Sequence, residues 1–339
     1  MTTKVAFLFP GQGSQAVGMG ADIYAASRSA RQVFEAADAA LGFSLSSLCF
    51  TGPDDILRET INAQPAIVTV SLALLAALQE ALSSTSSSSW SAPLIPEYTA
   101  GHSVGEYAAL VTSGALDMQD AVKLVRERGR LMHHEGTICP GSMAAVIGMG
   151  EEPLQEVCRD VTAQLTATLD RDARTGQGRV AVANYNAPGQ IVISGEQAAL
   201  NQAMELAKTR GAKRVIPLAV SGAFHSPVMQ PAAGGLAKAI AATTVRDAAI
   251  PVIGNITAAP LTQAAEIRAE LAQQIAAPVQ WIRSIEYLVN AGITTFIEIG
   301  PGQALTGMVK RIAKGVTTIN VSSAADLEKA VSAIRAMHP

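Results

Sequence analysis

The chain has 339 residues, of which 49% are apolar and 16% are charged, and its formal net charge is −3. This composition is typical of a globular protein with a large core, the length suggests about two domains, and an intrinsically disordered chain is excluded. The small negative charge, with no basic run interleaved with aromatic residues, gives no indication of nucleic-acid binding.

The N-terminal residues lead directly into an apolar run and lack the charged start and cleavage site of a signal peptide. The longest apolar stretch, Ala66 to Leu78, is too short to span a bilayer. Cys49, Cys139 and Cys158 have no metal-binding or redox spacing, so we expect buried thiols in a reducing compartment. Together these observations predict a soluble cytoplasmic protein that binds no membrane and no metal.

The first predicted element is a strand over Val5–Phe9, whose continuous apolar run is typical of a strand buried on both faces. The loop that follows contains Gly11-x-Gly13-x-x-Ala16, which has the spacing of a dinucleotide-binding fingerprint. Pro10 directly before the glycines, and the lack of an acidic residue at the end of a second strand, disfavour a nicotinamide site. The other interpretations are a simple glycine turn and a loop whose backbone N–H groups form half of an oxyanion hole.

The next segments predict helices. Ser27–Leu41 has helical periodicity, and a turn at Pro53 leads into a short capped helix. Gln64-Pro65 is predicted to open a core helix from Ala66 to about Leu82 that is apolar nearly all round. The serine tract Ser83–Ser91 is predicted to be a solvated surface loop, with Trp90 inside it.

Gly101-x-Ser103-x-Gly105 has the spacing of a nucleophile elbow, a sharp turn from a strand into a helix with a serine at its apex. The two glycines remove the Cβ atoms that would clash in so tight a turn. A strand is predicted from Pro96 to Ala100 before the motif, and helical spacing begins at Tyr107 after it. The alternative interpretation is an ordinary tight turn whose serine has no function.

The spacing from Met118 to about His133 predicts a second helix. Its charged residues are typical of a solvated face, although at least one of its arginines is a candidate for a functional role. His133-His134 has no third ligand at metal-binding spacing and is interpreted as surface. Residues 140–218 then predict the element order βαββαβ, a ferredoxin-like unit, with a polar connection over Arg171–Gly178. We expect this unit to be a small domain inserted into a larger one, which comprises residues 1–139 and 219–339.

The remaining chain again alternates strands with helices. Strands are predicted over Ile250–Ile253 and Thr295–Ile299, with a helix over Ala264–Ile275 between them and another opening at Pro278. The predicted fold class is therefore α/β, with a large α/β-hydrolase-like domain built on a parallel sheet and covered on both faces.

A serine nucleophile needs a base, and His225 is the best candidate among the five histidines. His102 adjoins the serine and must point elsewhere on an elbow, and His338 lies at the end of the chain. The alternative for His225 is a structural or solvated loop histidine. Asp247 and Glu298 both remain open as the acid of a triad, because nothing in their setting selects either.

Six motifs occur together in order, and in combination they are highly specific. They are Phe9-Pro10-Gly11-Gln12-Gly13-Ser14-Gln15, Gly101-His102-Ser103-Val104-Gly105-Glu106-Tyr107, Arg128-Gly129, Asn184-Tyr185-Asn186, Gly222-Ala223-Phe224-His225-Ser226 and Pro278-Val279-Gln280-Trp281. From about Lys4 to Ile312 the chain resembles malonyl-CoA:acyl carrier protein transacylases and the acyltransferase domains of polyketide synthases. It departs from them in the serine tract and near Arg171, which we interpret as surface insertions.

The resemblance implies a ping-pong transfer of malonyl from malonyl-CoA to the phosphopantetheine thiol of an acyl carrier protein. Ser103 would carry the malonyl group as an ester, His225 would act as the base, and the backbone N–H groups of Gln12 and Val104 would form the oxyanion hole. No cofactor is implied beyond the phosphopantetheine that the partner carries. A monomer is expected, and the sequence leaves open whether the pathway makes fatty acids or polyketides.

The resemblance also implies the residues that select the substrate. Arg128 matches the family's carboxylate-binding arginine, whose planar guanidinium can hold a malonyl carboxylate bidentately. Phe224, which would crowd a 2-methyl branch, Met132 and Asn184 are the other substrate-binding positions.

The family orients its histidine through backbone carbonyls rather than through a carboxylate. The matching positions here are Asn255 and Gln274.

Three functions are alternatives to malonyl transfer. A hydrolase on the same scaffold that clears acyl groups from carrier proteins should lack the carboxylate-binding arginine, so Arg128 disfavours it. A nicotinamide oxidoreductase is disfavoured by the missing acidic partner of the Gly11 loop. A non-catalytic module that docks carrier proteins would have no need of Ser103 and His225.

Overall fold

A computed structural model gives the fold of residues 4–83, 94–167 and 177–337. In chain order the strands are β1 Val5–Phe9, β2 Tyr98–Gly101, β3 Gly141–Ile147, β4 Val180–Ala187, β5 Gln190–Glu196, β6 Arg214–Pro217, β7 Val252–Ile253, β8 Pro260–Leu261, β9 Thr295–Ile299 and β10 Thr317–Val321. The helices are α1 Ala21–Ala26, α2 Arg28–Leu41, α3 Leu45–Thr51, α4 Asp54–Arg58, α5 Thr60–Ser83, α6 Gly105–Thr112, α7 Met118–Ile138, α8 Glu151–Thr166, α9 Gln197–Thr209, α10 Gln230–Ala241, α11 Ala264–Gln274, α12 Trp281–Asn290, α13 Ala304–Ile312 and α14 Ala324–Met337.

Strand β1 lies in the middle of the main sheet and is buried along its whole length, as its apolar run predicts. It pairs in parallel with β2 on one side and with β9 on the other. The sheet order is β10-β9-β1-β2-β7-β8, and among the described strands of this sheet only β8 runs antiparallel to its neighbour. The predicted α/β class with a parallel sheet is confirmed. The carboxyl ends of β1, β2 and β7 meet at one edge, where α/β proteins place their functional residues.

Strands β3 to β6 form a second sheet of order β4-β5-β3-β6, in which each pairing described is antiparallel. With α8 and α9 the element order is βαββαβ, as the sequence predicts. Strand β4 pairs with β5 along its length, and its register shifts at two irregularities, between Val182 and Asn184 and between Tyr185 and Ala187. Its edge is joined to the rest of the protein by hydrogen bonds between Tyr185 N and Val279 O (2.9 Å) and between Val279 N and Ala183 O (2.8 Å). The domain boundaries at 139/140 and 218/219 stay a prediction.

The predicted start of helix α5 at Ala66 is wrong, because the helix begins at Thr60 and includes Pro65. A proline cannot donate the hydrogen bond that would normally reach the carbonyl of Ile61, one turn earlier. The guanidinium of Arg126 on α7 donates to that carbonyl instead (Nη1 to O, 2.8 Å). The helix continues through the proline because a neighbouring side chain satisfies the freed carbonyl, so Arg126 is a packing residue rather than part of a solvated face.

Helix α5 and the three cysteines are buried in the protein interior, which explains the apolar character of the helix. Helix α5 is long and apolar enough to cross a membrane, but 67% of its most apolar window is buried inside the protein. That burial is typical of a core helix in a globular domain. The side chains of Cys49, Cys139 and Cys158 are buried, as predicted.

Three predicted features fall at the gaps in the described ranges. The serine tract with Trp90 lies outside the described residues apart from Ser83, which ends α5. Of the polar connection that begins at Arg171, the structure describes Gln177 and Gly178 alone. His338 also lies outside the described residues.

The turn from β2 into α6 brings backbone against backbone. A Cβ atom on Gly101 would lie 2.0 Å from the carbonyl carbon of Gly105, and one on Gly105 would lie 2.2 Å from the carbonyl oxygen of Phe9. Real Cβ atoms do not make such contacts, so both positions require glycine. The elbow predicted from Gly101-x-Ser103-x-Gly105 therefore has the close approach that its glycines indicate.

We expect Gly105→Ala to destabilise the protein by about 3 kcal/mol, because its methyl group would overlap the end of β1 and force the backbone to move. Gly234→Ala is the matched control, since Gly234 lies in α10 with nothing within 4 Å of an added Cβ. This control should raise the free energy of unfolding by about 0.5–1 kcal/mol. Urea unfolding of both variants checks the prediction, and equal effects of the two substitutions would contradict it.

Candidate active site

Ser103 stands at the apex of the elbow with φ +52°, in the left-handed region that side chains other than glycine rarely adopt. Asn255, which follows β7, holds it there. Its Oδ1 accepts from Ser103 N (2.7 Å), and its Nδ2 donates to Gly101 O (2.7 Å). One side chain thus bonds the backbone on both sides of the turn and offsets the roughly 1–3 kcal/mol that such a conformation costs.

His225 lies beside the serine with its Nε2 2.7 Å from Ser103 Oγ. Its Nδ1 is 2.9 Å from the carbonyl oxygen of Gln274 and 3.1 Å from that of Ala277. Carbonyl oxygens only accept hydrogen bonds, so Nδ1 carries the proton and Nε2 is left with the lone pair that faces the serine. The backbone holds this imidazole as the tautomer that a general base requires.

The surroundings of His225 keep it neutral. Burial is the first cause that lowers its pKa, to about 3, and the positive charge of Arg128 is the second. The imidazole is therefore uncharged throughout the physiological pH range and ready to accept a proton.

The contacts of His225 correct one expectation and decide about the two acids that the sequence left open. Gln274 does accept from the histidine through its carbonyl, but the prediction that Asn255 orients the histidine is wrong, because its side chain binds the elbow instead. The second carbonyl belongs to Ala277, and no side-chain signal could have indicated it. Neither acid left open is a triad member. Glu298 accepts from the first N–H groups of α13, and Asp247 accepts from Ala264 N.

Arg128 projects from α7 and is 1% exposed. Its Nη2 lies 3.2 Å from Ser103 Oγ and donates to Gln274 Oε1 (2.8 Å), and its Nη1 donates to Gln64 Oε1 (2.6 Å). Its Nε has no hydrogen-bond partner among the described atoms. Within the described ranges its hydrogen-bond partners are amide and hydroxyl oxygens, and no ion pair neutralises it. A buried guanidinium beside the nucleophile, held by neutral groups, is suited to a carboxylate that comes from a ligand.

A cavity of about 250 Å³ opens onto Ser103 and His225. It lies between the main sheet and the smaller sheet. The predicted positions that line it are Gln12, Met132, Asn184 and Phe224. Met132 Sδ also accepts from Gln64 Nε2 (3.3 Å), which ties this wall to the amide that binds Arg128.

The two predicted oxyanion donors come from adjacent strand ends. Gln12 follows β1 and Val104 follows Ser103, and neither backbone N–H has an acceptor among the described residues. The Gln12 side chain is fixed by a hydrogen bond from its Nε2 to Thr60 Oγ1 (2.9 Å). The loop that contains Gly11 and Gly13 therefore borders the serine cavity, as the oxyanion-hole interpretation requires.

The other predicted histidines have different settings. His102 is buried, its Nε2 lies 2.8 Å from Asn186 Oδ1, and its ring packs edge-on against Trp281. His133 is exposed on α7, as interpreted from sequence. Sequence reasoning missed the contacts of Gln64, which it named only at the predicted opening of a helix, and of the buried Glu106, although Glu106 lies inside the motif Gly101–Tyr107.

Comparisons with known proteins agree with this arrangement. The family model described as acyl transferase domain matches residues 6–334. The chain is 44% identical over 333 residues to the malonyl CoA-acyl carrier protein transacylase of Bacillus subtilis (strain 168), covering 98% of both chains. It is 39% identical over 326 residues to that of Staphylococcus aureus (strain MRSA252), covering 96% of this chain and 98% of the relative.

Solved structures are similar over the same length. The malonyl CoA-acyl carrier protein transacylase (fabD) from Coxiella burnetii has a TM-score of 0.87 at 35% identity, covering 98% of each chain. A malonyl-transacylase in complex with a type II PKS acyl-carrier protein has a TM-score of 0.88 at 35% identity, covering 98% of this chain and 100% of the other.

The lowered pKa of His225 predicts the pH dependence of serine reactivity. Since the base must be neutral, labelling of Ser103 by a fluorophosphonate should stay fast down to about pH 5, well below the ordinary histidine pKa of 6.5. Arg128→Met removes a positive charge that lowers this pKa, so its labelling rate should begin to fall at a higher pH than in the wild type. His133→Gln, on the surface, should leave the profile unchanged. A wild-type rate that falls near pH 6.5 would contradict the prediction.

Proposed function

The chain belongs to the acyl transferase family, and we propose that it transfers malonyl groups from malonyl-CoA to the phosphopantetheine thiol of an acyl carrier protein. The observation that carries this proposal is the buried Arg128 guanidinium beside the Ser103–His225 pair, with no carboxylate paired to it in the described residues. An activated serine accounts for acyl transfer in general. The arginine accounts for an acyl group that itself bears a carboxylate.

In the first half-reaction, Ser103 Oγ attacks the thioester carbonyl carbon while its proton passes to His225 Nε2. The negative charge that develops on the carbonyl oxygen is held by the N–H groups of Gln12 and Val104. Collapse of this intermediate breaks the carbon–sulfur bond, and the departing CoA sulfur takes the proton from His225. The product is a malonyl ester on Ser103.

In the second half-reaction the phosphopantetheine thiol of the carrier protein attacks this ester. His225 takes the thiol proton and returns it to Ser103 Oγ as the ester bond breaks. The same donors hold the second oxyanion, so both halves use one geometry. A base oriented by two carbonyls, without a carboxylate to strengthen it, favours an ester that persists until the thiol arrives.

Arg128 supplies the selectivity. Its guanidinium is within reach of the acyl chain on Ser103, and burying a malonyl carboxylate without such a partner would be costly. Phe224, Met132 and Asn184 line the space for the acyl group and the thiol arm, and the Phe224 ring would crowd a 2-methyl branch. Malonyl is therefore favoured over both acetyl and methylmalonyl.

Other parts of the proposal concern the cellular setting. The enzyme would use no cofactor and no metal, since phosphopantetheine arrives on the partner, and it would act as a cytoplasmic monomer that binds neither membranes nor nucleic acids. Its product would serve fatty-acid or polyketide synthesis. An acyl-carrier-protein hydrolase on the same scaffold is the alternative, and the fate of the acyl-enzyme in water separates the two.

Incubation with malonyl-CoA should give an adduct of one malonyl group by intact-protein mass spectrometry. The adduct should be absent from Ser103→Ala, persist in buffer, and disappear when a holo acyl carrier protein is added, with the malonyl group recovered on that protein. Apo carrier protein, which lacks the thiol, is the control and should leave the adduct in place. Rapid loss to water alone would favour the hydrolase.

Arg128→Ala should lower malonyl transfer at least about 100-fold, because losing the partner of a buried charge costs roughly 3 kcal/mol. Acetyl transfer should survive or increase, since an acetyl group has no carboxylate to bind. Arg130→Ala on the same helix is the matched control, because Arg130 is exposed and pairs with Glu127. Steady-state kcat/KM for both acyl-CoA substrates checks this, and equal losses for malonyl and acetyl would overturn the role of Arg128.

A further inference from the structure

Glu106 is a buried carboxyl group that the reaction described above does not use. It lies in the first turn of α6, three residues after the nucleophile, and is 0% exposed. Its Oε2 accepts from Gln274 Nε2, while its Oε1 has no partner among the described atoms. Burying an acid whose second oxygen has no hydrogen-bond partner is unfavourable, so its presence beneath the active site calls for a function.

The partner of Glu106, Gln274, also contacts Ser103, Arg128 and His225. Gln274 Nε2 also donates to Ser103 O (3.0 Å), its Oε1 accepts from Arg128 Nη2 (2.8 Å), and its backbone carbonyl accepts from His225 Nδ1. A glutamine amide has one accepting end and one donating end. The oxygen can face Arg128 only when the nitrogen faces Glu106 and the Ser103 carbonyl.

A reversed amide would have no good contact on either side. Its nitrogen would meet the Arg128 guanidinium, which is a donor, and its oxygen would meet two acceptors. If Glu106 is lost, Arg128 still favours the observed orientation, but the Ser103 carbonyl is the one acceptor left for the Gln274 nitrogen among the contacts described here. Glu106 supplies the second acceptor.

We propose that Glu106 is a positioning residue that fixes the orientation of the Gln274 amide and, through it, the Arg128 guanidinium. The inference rests on the proposed function, in which Arg128 holds the malonyl carboxylate. Glu106 touches neither the substrate nor the reacting atoms, and its effect falls on selectivity between acyl groups.

The property that Glu106 needs is an acceptor oxygen at the right distance, not a negative charge. Burial first, and then the nearby Glu270 carboxylate, raise the pKa of Glu106 well above its usual range, which favours the neutral acid. The neutral acid still accepts at Oε2 when its proton is on Oε1, so Gln274 continues to meet an acceptor there, and a glutamine of the same length can accept in the same way through its amide oxygen. An aspartate keeps the acidic group but is one methylene shorter, so it falls short of Gln274.

Variants of Glu106 should therefore differ according to whether they keep an acceptor oxygen at this distance. Glu106→Gln should keep the wild-type ratio of malonyl to acetyl transfer within about twofold. Glu106→Asp should lower malonyl kcat/KM about 10- to 100-fold, as expected when a positioning contact shifts a binding group, with acetyl kcat/KM changed less than about threefold. Glu298→Met is the control for loss of a buried acid far from Gln274, because Glu298 caps α13. It should lower the melting temperature without altering the ratio.

A double-variant test identifies the route. If Glu106 acts through Gln274, Glu106→Asp in a Gln274→Met background should change the malonyl-to-acetyl ratio no further than Gln274→Met alone. Additive losses would overturn the inference, and so would a Glu106→Gln variant as impaired as Glu106→Asp.

Wild type and Arg128→Ala, measured in parallel, distinguish failure of the proposed function from failure of the positioning role. No malonyl loading by wild type, or no change of ratio in Arg128→Ala, rejects the proposed function, whereas normal behaviour of both with an unchanged Glu106→Asp rejects the positioning role alone.

Discussion

The close approach of the elbow to the end of β1 is the constraint on which the site depends. Gly105 lies against the Phe9 carbonyl, and His102 N donates to that same oxygen (2.9 Å). The contact brings two neighbouring strand ends together, so one supplies the nucleophile and the other supplies the loop with Gln12. Two backbone donors from separate segments can then face one point, which is what an oxyanion hole requires. The strained φ of Ser103 follows from the same tight turn, and Asn255 holds it from a third strand end.

The electrostatics of the site centre on one buried positive charge. Arg128 helps to lower the pKa of His225, which keeps the base neutral, and the same charge is left unpaired within the described residues for a ligand carboxylate. In the proposed reaction these effects act in sequence. The malonyl carboxylate offsets the charge of Arg128 once it binds, so the histidine becomes a better proton acceptor when substrate is present. A protein carboxylate paired with Arg128 would have weakened its effect on the pKa of His225 and would have occupied the position of the ligand carboxylate.

The sequence predicts the reacting side chains better than the contacts that hold them. Ser103 follows from a motif, and the strand over Val5–Phe9 follows from a run of apolar residues, because both patterns are properties of residue types. The orientation of His225 depends on the carbonyl of Ala277, and every residue has a carbonyl, so no residue type marks it. The continuation of α5 through Pro65 could not be predicted either, because the guanidinium that satisfies the freed carbonyl of Ile61 belongs to Arg126, far along the chain. Asn255 was assigned to the right site but to the wrong partner, because a motif places a residue near the chemistry without fixing which atoms it bonds.

Gln274 shows why these contacts behave as one unit. Its backbone sets the tautomer of the base, and its side chain bonds the nucleophile's carbonyl and the arginine. In the proposed reaction, binding of the carboxylate and activation of the serine therefore both depend on Gln274. A group that fixes this amide can change which acyl chain is preferred without touching any acyl chain. Selectivity in this fold then depends on the polar layer beneath the cavity as well as on the residues that line it, and Glu106 lies in that layer.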